Sequence, residues 1–158
     1  MKDLSARRIA GAAISAVLLS ALAGCVSQSS APSAAAAPSL SASSIPADSL
    51  VGRWGLASYH NEADRKRTEV AARGQCHQPY VIGKGQSGGV MMRLADSAKE
   101  EEVFVRSDAN GKSFIGPSGA TAEQSSLEIV SLDKKELVAR WIDPEIAARY
   151  GTMVYVRC

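Results

Sequence analysis

The chain has 158 residues, with 18 Lys plus Arg against 16 Asp plus Glu and a formal net charge of +2. A balance this close to neutral gives no electrostatic case for nucleic acid, whose binding needs a basic patch or stripe, so no nucleic-acid partner is expected. All the aromatic residues lie between Trp54 and Tyr155, so the core belongs to one domain of ordinary size in the last two thirds of the chain.

Lys2, Arg7 and Arg8 precede a stretch of apolar and small residues, 9–23. Such a stretch is short of the ~20 residues that span a bilayer. A charged start, a short apolar core and small residues at its end make a secretory signal rather than a membrane span. The stretch closes in Leu22-Ala23-Gly24-Cys25, which resembles the lipobox of bacterial lipoproteins. That resemblance implies a signal peptide over 1–24, lipidation of Cys25, and a membrane reached through that lipid. Val26 rather than Asp follows the cysteine. By resemblance to lipoprotein sorting in enteric bacteria, this implies the outer membrane, with the domain in the periplasm. Cleavage there removes Lys2, Arg7, Arg8 and Asp3 and leaves 15 basic against 15 acidic side chains.

Residues 26–48 follow, and 18 of these 23 are Ser, Ala or Pro. Such a composition cannot bury enough apolar surface to offset its chain entropy. Pro32 and Pro38 bracket the run of alanines and oppose a helix. Residues 25–48 are therefore read as the lipidated cysteine and a tether, with a random-coil reach of roughly 25 Å. Residues 49–158 are read as a single β-barrel domain.

Residues 50–59 alternate as a strand that puts Gly52, Trp54 and Leu56 on one face. Residues 61–74 break the alternation. An Asn start, acids in the first turn and a Gly stop predict a surface helix. Short strands are expected at 76–82, 90–95, 102–107, 113–116, 127–132 and 136–142. Asp108-Ala109-Asn110-Gly111 and Asp133-Lys134-Lys135 read as tight turns. Asp143-Pro144 opens a second short helix, which Gly151 ends. A closing strand covers 152–158. Eight short strands at regular spacing predict a mostly β, small antiparallel barrel with two short helices; the alternative is an α+β sheet.

With Cys25 lipidated, Cys76 and Cys158 remain, and two thiols in an oxidising compartment usually pair. Pairing needs their Cα atoms within about 7 Å. In a plain meander the start of strand two and the end of strand eight lie at opposite ends. The expectation is therefore that the second helix carries the chain back along the barrel.

Gly52-Arg53-Trp54 resembles the G-x-W signature of lipocalins and related calycin barrels. In those barrels the Trp closes one end and an Arg from a late strand packs across it. The resemblance implies a lipocalin-like barrel here, with Arg140 or Arg157 over Trp54, and Trp54–Arg140 as the pair assigned.

Gly83-Lys84-Gly85-Gln86-Ser87-Gly88-Gly89 lacks the residue order of a phosphate-binding loop and reads as a mobile rim loop, with Lys84, Gln86 and Ser87 at the mouth. Arg65, Lys66, Arg67 and Arg73 form one basic cluster. Interleaved acids make it a solvated helix face, with contact to anionic headgroups as its functional reading. His60 and His77 lack metal-ligand spacing, so no metal is expected. No nucleophile–base set stands out, no cofactor is implied, and the reading is not an enzyme. The function expected is a non-catalytic envelope binding domain that carries a small apolar ligand or lipid. The alternative is a protein-interaction module, either an inhibitor of envelope hydrolases or proteases or an assembly factor.

Overall fold

The structure, a computed structural model, describes residues 40–158; the lipobox and most of the expected tether lie outside them. Within that range the period-2 segments form β1 (Ser41–Ala42), β2 (Gly52–Tyr59), β3 (Tyr80–Lys84), β4 (Val90–Met92) and β5 (Glu101–Ser107). They continue as β6 (Ser113–Gly116), β7 (Leu127–Leu132), β8 (Glu136–Trp141) and β9 (Thr152–Arg157). Two helices, α1 (Arg65–Gly74) and α2 (Pro144–Tyr150), interrupt them.

Every ladder is antiparallel. β2 to β9 pair in chain order, and β9 returns to β2, so eight strands close into a barrel. This is the lipocalin-like arrangement, and the α+β alternative is set aside because the sheet closes on itself. Alternation places one set of side chains inside. Trp54, Ile82, Met92, Val103, Ile115, Leu127, Leu137 and Tyr155 pack into one core with Leu50. Closing the sheet leaves no long exposed edge, and a barrel of this strand number can be filled by its own side chains.

The outward face of β2 and β9 carries a second, smaller cluster. Tyr59, Val154 and Val156 pack there against Ala72 of α1. The helix approaches closely at one point, because a Cβ on Gly55 would stand 1.9 Å from the Ala72 carbonyl oxygen. Only glycine permits that approach. Asn61 caps the turn that leads into α1 by accepting from the Ala63 N–H.

The bridge Cys76–Cys158 is present, with Cα atoms 5.6 Å apart. Its route differs from the expectation in two ways. Cys76 is not in the second strand of the barrel. It lies in a 3-10 turn, Gln75–His77, and β3 begins only at Tyr80. The element that carries the chain back is α1, not α2. α1 runs down the outside of β2 and delivers Cys76 beside Gly55, while the Cys158 N–H donates to the Arg53 carbonyl. α2 is only a corner, since β8 leaves at Arg140 and β9 re-enters opposite it at Thr152.

The tether boundary also moves. Ser41–Ala42 pairs with Ser107 and Arg106 on the lower part of β5. That edge is free because β4 covers only Glu101 to Val103. Ser43, Ser107 and Ser113 join hydroxyls at 2.9–3.1 Å and fasten the strap to β5 and β6. Ile45 and Ala47 pack on the core, so residues 41–48 form a strap across one end of the barrel. Composition argued for a tether because few apolar residues are present, but the two that matter sit where the barrel end needs covering.

Candidate functional site at the barrel mouth

The two ends of the barrel differ in kind. The end where β2 begins is plugged. Trp54 is fully buried there, and its indole N–H donates to the Leu50 carbonyl at 2.8 Å. The guanidinium of Arg157 lies 4.1 Å from the Trp54 ring centre. It also donates to the carbonyls of Val51 (3.1 Å), Ser49 (2.7 Å) and Lys134 (3.2 Å). One cation thus stacks on the indole and ties the 49–51 segment to the β7–β8 turn. Gly52 has φ +152°, and a Cβ there would lie 2.5 Å from Arg157 Nη1. The glycine of the G-x-W string is required because the guanidinium occupies its side-chain space.

The cation over Trp54 is therefore Arg157, not Arg140. Arg140 points outward and pairs with Glu128 at 2.6 Å. Strand parity explains the difference. Trp141 faces the core, so its neighbour Arg140 faces solvent, whereas Arg157 shares the inward face with Met153 and Tyr155. That parity was available in the sequence.

The glycine-rich loop is at the plugged end as well, not at the mouth. The β3–β4 hairpin turns there, close to the Gly52↔Ile82 pair. Lys84 pairs with Asp48 of the strap at 3.2 Å. The backbone N–H groups of Ser87 and Gly89 donate to the Glu102 carboxylate at 2.7 and 3.0 Å. These donors hold the Glu102 carboxyl below the usual carboxylate range. The loop is thus closed around an acid of the chain itself, and Gln86 lies within that turn rather than on a mouth rim. A groove of about 520 Å³ also lies at this end, between Ile45 and Pro46 of the strap and Leu132 and Lys134 of the β7–β8 turn. Ser49 and Arg157 of the plug line it as well.

At the opposite end the wall opens. β2 makes six pairs with β9 but only three with β3, and the β2–β3 ladder stops at Trp54↔Tyr80. Above that point lies a cavity of about 270 Å³ walled by Leu56, Tyr80, Trp141, Met153 and Tyr155. A second space of about 610 Å³ adjoins it, between the segment 123–126 and the start of α2. Leu94, Ala95 and Trp141 line both.

Leu94 and Ala95 belong to the β4–β5 loop, which is held at two points. Near its start, the Tyr80 hydroxyl donates to the Arg93 carbonyl at 2.6 Å and accepts from the Arg93 N–H at 2.9 Å. The side chain takes the place of a β3–β4 ladder pair. Burial pushes the Tyr80 hydroxyl up to about 12. Further on, Asp96 has φ +57°, a left-handed conformation uncommon outside glycine. Its carboxylate accepts from both terminal nitrogens of Arg149 and from the Tyr150 hydroxyl at 2.9 Å. These three residues latch the loop to α2.

The Arg149 guanidinium, followed by the Tyr150 hydroxyl, holds the Asp96 carboxyl below its ordinary value. A depressed folded value makes the latch complete above the ordinary value of about 3.9. The contribution is lost as pH falls through the depressed one. Replacing Arg149 by methionine is expected to move the Asp96 titration, followed by carboxyl carbon-13 NMR, back up towards that ordinary value. An unchanged titration would show that Arg149 does not hold the carboxylate.

The basic cluster is on α1. Arg65 pairs with Glu136 at 2.8 Å and Glu69 at 3.3 Å, and Arg67 pairs with Asp64 at 2.9 Å. Lys66 and Arg73 are exposed. His77 Nδ1 lies 2.7 Å from the Gly74 carbonyl at the end of α1. Sequence reasoning missed the latch and Trp141 as mouth residues. A Trp at the end of a strand before a helix was the available sign, but nothing local to Asp96 pointed to Arg149, 53 positions away.

No protein-family model, no curated protein and no solved structure matches the chain.

Proposed function

We propose that this chain is a lipid-anchored lipoprotein of the cell envelope, held through Cys25, whose barrel binds a small apolar molecule at its mouth without chemically changing it. The observation that carries the reading is the contrast between the ends. One end is sealed by Leu50, Trp54, Arg157 and the strap. The other keeps an apolar and aromatic space of about 270 Å³ beneath a latched loop. A cavity of about 150 Å³ is enough to hold benzene, so this one suits a ligand of roughly two rings or about ten carbons. Such sites are mostly apolar, with a few polar groups that orient the ligand. The resemblance at Leu22-Ala23-Gly24-Cys25 supports the anchor, and Val26 after it supports the outer membrane with the barrel in the periplasm.

Native mass spectrometry of the full chain, exported in a bacterium, tests both parts in one experiment. The expected spectrum has a chain beginning at Cys25, heavier by its acyl groups. It also carries a further small mass that leaves on denaturation. A chain that retains residues 1–24 would overturn the anchor. A bare barrel from an intact envelope extract would overturn the small-ligand reading and turn the search to a protein partner.

A further inference from the structure

Trp141 is 7 % exposed, and its indole N–H is buried with no acceptor in reach among the described residues. The other tryptophan is different, since Trp54 donates to Leu50. A buried donor left without a partner carries a desolvation cost and calls for an explanation. Trp141 also lines both mouth cavities, and its ring lies 6.1 Å from that of Tyr150 in the latch. Around it the wall of the smaller cavity is largely apolar: Leu56, Leu94 and Met153. We infer that the mouth selects an apolar molecule that carries a neutral hydrogen-bond acceptor, such as a carbonyl oxygen, and that Trp141 is the donor that reads it.

This inference rests on the mouth being a ligand site, and it specifies the ligand class. A buried donor gives discrimination of this kind, because a ligand without the acceptor leaves the donor unpaired. Nε1 is covered in the latched form. The residues that line both cavities beside Trp141, Leu94 and Ala95, lie next to Asp96 in the latched loop. A ligand therefore reaches Nε1 only if the side chains that cover it shift.

The test uses a matched pair of probes, 2-acetylnaphthalene and 2-isopropenylnaphthalene, which have the same shape and differ by a carbonyl oxygen in place of a methylene carbon. Both are titrated calorimetrically into the intact chain. The ketone is expected to bind about tenfold more tightly, the equivalent of one hydrogen bond. In Trp141→Phe that preference should vanish while hydrocarbon binding changes little. Equal binding of both probes by the native chain would overturn the inference and leave the ligand site standing. It would mean that the indole N–H is satisfied within the fold, for example against the Tyr150 ring. A ketone preference that survives in Trp141→Phe would move the donor role to another residue and also overturn the inference. Binding of neither probe would remove the ligand reading itself. The native comparison needs no variant, so a Trp141→Phe chain that failed to fold would not rescue the idea.

Discussion

Replacing Cys76 and Cys158 together by serine is expected to destabilise the domain by about 2–4.5 kcal/mol. The bridge closes a loop with a sequence separation of 82, for which the chain-entropy relation gives about 4.5 kcal/mol. Native bridges in small exported domains typically contribute about 2–5 kcal/mol, which sets the lower figure. The effect should act mostly on the unfolded chain. In the folded state the Cys158 N–H donates to the Arg53 carbonyl, and Gly55 seats α1 against β2 whether or not the sulfurs are joined. Urea denaturation of the oxidised chain and the double variant checks this. The midpoint should fall, and the denaturant slope should rise as the unfolded chain expands. A thermal midpoint roughly 10–20 °C lower is expected alongside. A loss below about 1 kcal/mol would show that the unfolded chain is already compact around this contact.

The second large effect is at the plug. Trp54→Ala is expected to cost about 3–5 kcal/mol, the range for deleting a fully buried large aromatic. Three losses combine there. The ring leaves a cavity under Leu50, the Leu50 carbonyl loses its donor, and Arg157 loses the face on which it stacks. Trp54→Phe keeps most of the ring and part of the stacking, so it should cost only about 1–2 kcal/mol, mainly for the lost hydrogen bond. Chemical denaturation of the two variants separates these contributions. If alanine cost no more than phenylalanine, packing beneath the strap would not be what seals this end.

Much of the fold was legible because its signals are local. Alternation in Leu127-Glu128-Ile129 shows a strand with one face buried. Asp143-Pro144 and Gly151 mark the two ends of α2, and the structure has the Asp143 side chain accepting from the N–H groups of Glu145 and Ile146. The pairing of Cys76 with Cys158 was also accessible, once the resemblance at Cys25 set that thiol aside. The residues around the site were harder. Lys84, Gln86 and Ser87 were assigned to the mouth because a glycine-rich loop between strands looks like a rim. No local pattern states at which end of a barrel a hairpin turns.

Sequence by itself determined the eight barrel strands, the caps of α2 and the glycine of the G-x-W string. Each depends on residues within a few positions of one another, where backbone geometry and side-chain period act directly. Tertiary structure alone decided that α1 rather than α2 returns the chain to the bridge. It also decided that residues 41–48 strap the barrel end, and that Asp96 meets Arg149 and Tyr150 over the mouth. Those outcomes follow from closing β9 onto β2. Closure sets the height of every strand relative to its neighbours at once, and that register determines which loops share an end and where a cavity is left.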